Sequence, residues 1–373
     1  MKDYTLLTRA EYFKTLAATA RHASRGQRVL AAAMDINPFE PAVISLVESL
    51  QIAARQGANV HLIVDAHNFL QADNLLPGPL FYKHSLETLR GKFNATLQLL
   101  RGLETAGGSF HITNIPKRRL NPPSIGRSHI KGAVVGDQVF IGGCNFERPE
   151  HIDVMVAWRD KYAADVMEKW FRKMVQARRV RDGFGDVDTE TRIDDTTELL
   201  LDAGVPGQSL IYDTALRLID DAKEWLYITC QYFPGGPTAK HLAAAAKRGV
   251  EVEIVYSHPR SQGKDAPLHQ LHQLSQHAKR LPRSFFSGKL DKQIAKLHAK
   301  ILASEHEALV GSHNYVIQGV QFGTAEVALH GRDTALALAL RSFIKDQITQ
   351  ASRAILHYNT DKTIKNGAED SQL

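Results

Sequence analysis

The chain has 373 residues, 43% of them hydrophobic and 23% charged, and its formal net charge is +6. This composition is that of an ordinary globular protein, and the length suits two halves of about 180 residues better than one core. Two cysteines, Cys144 and Cys230, exclude a disulfide scaffold and fit a reducing compartment. No apolar run approaches the roughly 18 residues that span a membrane, and nothing at the N-terminus reads as a signal peptide.

Helix and strand patterns alternate along the first part of the chain. Apolar positions predict a helix over 8–24, a strand over 28–36 and a second helix that Pro41 opens. That helix ends at Gln56-Gly57, a C-terminal signature, and a strand follows over 60–65. The first part therefore has α/β character.

The second part of the chain repeats this order. A helix over 209–224, a strand over 225–230, a helix over 239–247 and a strand over 252–256 are predicted. Alternating strands and helices indicate an α/β sandwich with a mixed, largely parallel sheet. The predicted domain organisation is an N-terminal half at 1–181, an acidic linker at 182–198, a C-terminal half at 199–358, and a polar, disordered tail at 359–373.

One motif occurs twice, once in each half. Ser128-His129-Ile130-Lys131 precedes Gly142-Gly143-Cys144-Asn145, and His298-Ala299-Lys300 precedes Gly311-Ser312-His313-Asn314. The asparagine follows the histidine by 16 positions in both copies, from 129 to 145 and from 298 to 314. Two long matches with one internal spacing are hard to obtain by chance.

The residues of the repeated motif suit a phosphate. The stretch 128–135, the turn Gly136-Asp137 and the return strand 138–141 predict a hairpin, in which alternate side chains share a face. Each copy thus presents an imidazole, an ammonium and an amide on one surface, where lysine and asparagine hold phosphate oxygens while histidine reacts. The six residues are His129, Lys131, Asn145, His298, Lys300 and Asn314.

The motifs resemble those of the phospholipase D superfamily, in which His-x-Lys is followed by Asp, by Gly-Gly or Gly-Ser, and by Asn. The interval from lysine to glycine is one residue shorter here, and the Asp position falls on Gly136 and Glu305. The stretches 229–234 and 246–250 are similar to runs in bacterial cardiolipin synthases, which the chain resembles most in organisation. The resemblance implies two pseudo-symmetric α/β sandwich halves with the active site at their interface.

The resemblance also implies a mechanism, which is double displacement at a phosphodiester without metal or cofactor. His129 attacks phosphorus and forms a phosphohistidine, while His298 protonates the departing alcohol and then deprotonates the acceptor. The lysines and asparagines of both motifs stabilise the developing charge, and Gly143 and Ser312 are expected to bind substrate.

Two carboxylates follow the motifs, Asp153 after the first and Glu326 after the second. A catalytic imidazole needs a partner on its far nitrogen to fix its tautomer and orientation. The resemblance implies that such an acid often pairs with the histidine of the other half. We expect Glu326 to pair with His129 and Asp153 with His298, against the alternative that both are surface charges.

Three other stretches carry possible binding chemistry. His269, His272 and His277 favour a solvated helix face over a metal site, since no Cys or Asp completes a ligand set. The first half carries an insertion within 66–110, and its apolar run at 75–82 either packs under the following helix or contacts a bilayer. The basic stretch 117–119 is either a solvated loop or a flank of the anion site.

The favoured function is phosphatidyl transfer or hydrolysis on phospholipids, with the phospholipid or a membrane surface as partner. A metal-independent nuclease or DNA-repair phosphodiesterase, with nucleic acid as partner, is the alternative that the basic charge encourages. A third candidate is a non-catalytic lipid- or nucleic-acid-binding relative, which the intact motifs argue against. We expect a cytoplasmic monomer whose membrane contact is peripheral, on the inner face.

Overall fold

The computed structural model describes residues 3–66, 86–114, 126–147, 151–177, 188–257, 288–289 and 297–369. Within these ranges the strands form two sheets, one of seven and one of eight strands. The apolar run at 75–82, the basic stretch 117–119, the three histidines at 269–277 and the predicted boundary at 181 lie outside them.

The first sheet belongs to the first half of the chain. Its strands are β1 (Thr5–Leu7), β2 (Arg28–Ala33), β3 (Asn59–Asp65), β4 (Ser109–Thr113), β5 (Gly132–Val135), β6 (Gln138–Gly142) and β7 (Met155–Arg159). They lie in the order β1-β7-β6-β5-β2-β3-β4. The pairs β2–β3 and β3–β4 are parallel, and the other pairs are antiparallel.

The second sheet repeats the first and adds one strand. Its strands are β8 (Thr189–Arg192), β9 (Thr197–Ala203), β10 (Trp225–Cys230), β11 (Glu251–Tyr256), β12 (Gly288–Lys289), β13 (Ile301–Ser304), β14 (Ala308–Gly311) and β15 (Ala325–Gly331). Their order is β12-β11-β10-β13-β14-β15-β9-β8. Without β8, this is the strand order of the first sheet, so the two halves have the same topology.

The extra strand corrects the predicted linker at 182–198. Residues 189–192 form an antiparallel pair with β9, so this part of the segment belongs to the second sheet. The turn between the strands closes through the main-chain N–H of Ile193, which donates to the Thr197 carbonyl at 2.8 Å. A hairpin satisfies main-chain groups that a linker would leave to water.

The described helices are α1 (Arg9–Arg21), α2 (Pro41–Arg55), α3 (Leu86–Thr105), α4 (Lys161–Gln176), α5 (Leu210–Asp221), α6 (Pro237–Lys247), α7 (Ile317–Phe322) and α8 (Thr334–Glu369). A capping box between Thr8 and Glu11 fixes the start of α1, so Arg9 is its first residue. Part of the predicted insertion folds as α3, which packs against α2. Helix α8 continues to Glu369, so the disorder expected over 359–373 is wrong for most of that segment.

The two sheets pack face to face across one apolar core. Ile141 and Val156 of the first sheet share a buried cluster with Val310 and Val327 of the second. Separate clusters bury α1 and α2 on the outer face of the first sheet, and α5 and α6 on that of the second. Burial of apolar surface on both faces of each sheet thus joins the halves, and the predicted α/β sandwich of two similar halves is confirmed.

Candidate active site

Both His-x-Lys segments lie between the two halves, ahead of the strands that the sequence places them in. Strand β5 begins after the first segment and β13 after the second. Ser128 forms a parallel bridge with Ala325 of the other half, and the N–H of His129 donates to the Ala325 carbonyl at 2.9 Å. In the same way, the N–H of His298 donates to the Ile152 carbonyl at 2.8 Å. The hairpins are shorter than predicted because these main-chain groups pair across the interface.

Each histidine is paired with a carboxylate from the opposite half. The Nδ1 atom of His129 lies 2.9 Å from both carboxylate oxygens of Glu326. The Nδ1 atom of His298 lies 2.8 Å from Oδ2 of Asp153. This is the pairing that the sequence analysis expects, and neither carboxylate is a surface charge, because both are buried. A carboxylate that accepts from Nδ1–H leaves Nε2 of the ring for chemistry.

The two motif lysines are fully buried beside the histidines. Lys131 Nζ donates to the carbonyl of His129 at 2.9 Å, and Lys300 Nζ donates to the carbonyl of His298 at 2.5 Å. Burial, opposed in part by the Glu326 carboxylate, lowers the pKa of Lys131 to about 7. Burial, opposed in part by Asp153, lowers the pKa of Lys300 to about 8. Both amines therefore gain or lose a proton near neutral pH.

Both motif asparagines carry a side-chain oxygen that is buried without a hydrogen-bond partner in the described part of the chain. A buried polar atom without a partner costs on the order of 1–3 kcal/mol. Asn145 and Asn314 each hold one. These oxygens can only accept a hydrogen bond, whereas the amide nitrogens are the atoms that could donate to a phosphate oxygen.

The pKa values of the two paired carboxylates shift in opposite directions. Burial alone would raise the pKa of Asp153, but the charges of His298 and Arg9 outweigh it and hold this pKa well below its usual range. Burial raises the pKa of Glu326, despite the nearby His313 and Lys131. Burial also lowers the pKa of His129 and of His298 well below the usual value.

Gly143 and Ser312 contact the carboxylates behind the histidines. A Cβ atom on Gly143 would lie 2.3 Å from Oδ1 of Asp153, so only glycine lets this carboxylate approach. The Ser312 hydroxyl donates to Glu326 and accepts from the N–H of Val327 at 3.0 Å. Both residues thereby fix a carboxylate, and their expected contact with substrate stays a prediction.

Two further residues, Arg9 and Asp65, contact the site although they belong to neither sequence motif. Arg9, the first residue of α1, places Nη2 at 2.6 Å from Oδ2 of Asp153. Asp65, at the end of β3, accepts from the N–H of Ser128 at 2.8 Å and so holds the first His-x-Lys segment. The carboxyl end of a parallel strand is a usual place for site residues, which is a signal that could have found Asp65. The sequence gives no such signal for Arg9.

A pocket of about 130 Å³ opens beside His129. Met34 and Val316 supply apolar walls, and Arg127, Thr324 and the motif residue Asn314 supply polar ones. The pocket is therefore suited to a small group that makes both apolar and polar contacts next to the imidazole.

No cluster of three or more His, Cys, Asp or Glu side chains that could hold a metal ion occurs among the described residues. Over the same residues, no helix is both long and apolar enough to cross a membrane.

Comparison with known proteins places this geometry in context. Residues 215–346 match the family model described as cardiolipin synthase, PLD-like domain. No curated protein matches the chain. The phosphatidylserine synthase of Haemophilus influenzae Rd KW20 is similar in structure, with a TM-score of 0.66, 15% identity, and coverage of 93% of this chain and 86% of that one.

A second similar structure is the polyphosphate kinase from Porphyromonas gingivalis. Its TM-score is 0.55 at 13% identity, over 93% of this chain and 50% of the kinase, so the chain spans about half the length of that protein. At such identities the two structures establish the shared fold.

Proposed function

We propose that the chain is an enzyme of the phospholipase D superfamily that transfers or hydrolyses phosphatidyl groups through a phosphohistidine, in the manner of a cardiolipin synthase. The match of residues 215–346 to the cardiolipin synthase, PLD-like domain supports this proposal. The observation that carries the proposal is the crossed pairing of His129 with Glu326 and of His298 with Asp153. Two oriented imidazoles on one site are what a double displacement needs, since one attacks while the other moves a proton.

The remaining motif residues fit the charge that builds up during the reaction. A phosphodiester in its transition state spreads negative charge over the equatorial oxygens. The buried lysines Lys131 and Lys300 supply positive charge there, and the amide N–H groups of Asn145 and Asn314 are the donors that would bond to these oxygens. These four side chains take the place that a metal ion holds in other phosphoryl-transfer sites.

Phospholipid is the preferred substrate class on two grounds. The matching family model is described by a phospholipid-synthesising enzyme, and a similar structure is named as a phosphatidylserine synthase. The reaction proposed for this chain is therefore the transfer of a phosphatidyl group to a small alcohol or to water. Nucleic acid stays the alternative substrate, favoured by the net charge of +6.

The test is to incubate the purified protein in EDTA with phosphatidylglycerol vesicles and, separately, with single-stranded DNA. We expect phosphatidic acid or a new phospholipid from the vesicles and intact DNA, with no product from His129→Ala or His298→Ala. Cleaved DNA beside unchanged lipid would assign a nuclease instead. If neither substrate gives a product, the non-catalytic binding protein becomes the favoured alternative. If activity returns only with added zinc or magnesium, the metal-free mechanism is contradicted.

A further inference from the structure

The two histidine–carboxylate pairs have the same geometry but different supports. Asp153 is supported by a cation, because Arg9 Nη2 lies 2.6 Å from its Oδ2. Glu326 is supported by the neutral hydroxyl of Ser312. The pseudo-symmetry of the fold is therefore broken at the groups that set the charge of each pair.

Arg9 lies deep in the site. Its side chain is 0% exposed, and Nη2 also lies 3.4 Å from Nδ1 of His298. Its other amino group faces Glu147 at 3.6 Å and His151 at 3.2 Å. Because arginine stays protonated under all ordinary conditions, it brings a permanent positive charge to the His298 side of the site.

The opposite pair has a buried carboxyl group as neighbour, whose pKa burial raises to about 8. Asp202 of β9 is the register partner of Glu326 in β15 and is buried. The cations that face His129 are Lys131, Lys300 and Arg127, which also favour a neutral imidazole. Burial raises the pKa of Glu326, although the nearby His313, Lys131 and Lys300 oppose this shift, so the His129–Glu326 pair is the one that holds a proton.

We propose that Arg9 divides the roles of the two histidines: it balances Asp153, so that His298 stays neutral and is the nucleophile, while His129 and Glu326 share one transferable proton and act as general acid and base. The inference rests on the proposed function. It reverses the order implied by the resemblance, in which His129 attacks.

The ionisation of the two pairs agrees with this division. The charges of His298 and Arg9 hold the pKa of Asp153 low, whereas burial raises the pKa of Glu326, so Glu326 is the carboxyl of the two that more readily holds a proton. Around His298 the facing groups are Lys300, Asp153 and Arg9, and both cations oppose a second proton on the ring. Neutral His298 keeps an Nε2 lone pair for attack.

The pocket beside His129 supports the same assignment independently. In an in-line displacement the departing alcohol lies opposite the nucleophile and next to the general acid. The pocket borders His129 and Glu326, and Asn314 and Thr324 line its wall. In this assignment the pocket holds the departing or accepting alcohol beside the general acid, and His298, which does not line the pocket, is the nucleophile.

The steps balance as follows. The Nε2 lone pair of His298 forms the N–P bond while the P–O bond to the alcohol breaks, and that oxygen takes the proton from His129. An acceptor alcohol or water then gives its proton to His129, forms a new O–P bond, and releases His298.

The first test traps the covalent intermediate on a diester with a 4-nitrophenolate leaving group, which needs no general acid. His129→Ala should release a burst of about one equivalent of nitrophenolate and carry the phosphoryl adduct on His298 by mass spectrometry. His298→Ala should give no burst. An adduct on His129 in either the wild type or His298→Ala would overturn the inference and leave the proposed function intact, whereas wild-type protein without activity on any diester would overturn the proposed function.

The second test measures the role of Arg9 from the pH dependence of kcat/KM. In Arg9→Gln the uncompensated Asp153 carboxylate should raise the pKa of His298 and move the acid limb of the profile upward by about one pH unit. Arg9→Lys keeps the charge and should restore the wild-type limb. The control is Arg28→Gln, which removes another ion-paired arginine from the first half and should leave the profile in place.

The second test distinguishes a role of Arg9 in setting the charge of the His298–Asp153 pair from a role in packing alone. A uniform fall in activity with an unchanged pH profile in Arg9→Gln would mean that Arg9 only packs the site, and the inference would be wrong. If Arg9→Gln does not fold, the comparison of Arg9→Lys with the wild type replaces it. Because the lysine keeps a positive charge beside Asp153, a folded Lys variant with the wild-type limb and the adduct on His298 supports the inference. A displaced limb or an adduct on His129 contradicts it.

Discussion

At the residue scale, the burial of the two motif lysines makes substrate binding sensitive to pH. Lys131 has a pKa lowered by burial to about 7, so its positive charge is lost as the pH rises through that value. An anionic phosphodiester binds the protonated amine, and KM should therefore rise above about pH 7–8. Lys131→Arg should keep a low KM at alkaline pH, although geometry will reduce kcat.

The measurement is KM for a soluble phosphodiester between pH 6 and 9. Lys161→Arg is the matched control, because Lys161 is an exposed residue of α4 paired with Asp165. A wild-type KM that stays constant across this range would contradict the prediction.

Gly143 gives a second prediction at the residue scale. In Gly143→Ala the new Cβ would meet Asp153 at 2.3 Å and the His298 carbonyl at 3.2 Å, so the carboxylate must shift. A displacement of about 1 Å in a catalytic group costs on the order of 10²-fold in rate. We expect a loss of kcat of this size for the Gly143→Ala enzyme, measured with the soluble diester.

Gly91 of α3 offers the control for this substitution. A Cβ on Gly91 meets no atom within 4 Å, so Gly91→Ala should keep full activity and gain roughly 0.5–1 kcal/mol in helix stability. Equal activity of the two variants would show that the close approach of Gly143 to Asp153 has no catalytic importance.

At the element scale, the junction of β9 and α5 holds a carboxyl group that prefers its proton. Burial raises the pKa of Asp202 to about 8, although the Ser209 hydroxyl and the N–H of Ile211 bond to it. A carboxyl whose folded pKa is raised stabilises the fold below its unfolded pKa of about 4, and this stability is lost as the pH rises through 8. The free energy of unfolding should fall across this window.

Asp202→Asn should remove that dependence, since the amide mimics the protonated acid. Urea unfolding at pH 5 and pH 8 should show a difference of roughly 2–5 kcal/mol in the wild type and a smaller one in Asp202→Asn. Asp195→Asn, at a fully exposed side chain, should behave like the wild type. A wild type equally stable at both pH values would refute the prediction.

The elements also show what sequence patterns can and cannot predict. Periodicity finds β10 at 225–230 to the residue, because a buried strand is a run of apolar side chains. It places His129 and His298 inside strands, because main-chain pairing across an interface leaves no trace in side-chain pattern. The sequence pattern does not identify Arg9 as a site residue for a similar reason. Its contact is with a carboxylate that only the folded chain brings to the start of α1.

At the scale of the whole molecule, both histidine–carboxylate pairs of the candidate active site form within one chain. Both crossed pairs are satisfied within a single copy, and the core that joins the sheets is continuous. A mixture of His129→Ala and His298→Ala proteins should therefore stay inactive, because each copy lacks one essential imidazole. The measurement is turnover of the mixture after incubation at high concentration, and recovery of activity would reveal a site shared between exchanged halves.

The crossed carboxylates also have a consequence for descent. Each half contains a carboxylate that pairs with the histidine of the other half. A chain that loses or rearranges one half would therefore remove the carboxylate partner of one histidine and the other histidine itself. Selection must then act on the two halves as a pair, and a change at Glu326 can be compensated only near His129, across the molecule. Elsewhere the halves are free to diverge, as the extra strand β8 on one side has done.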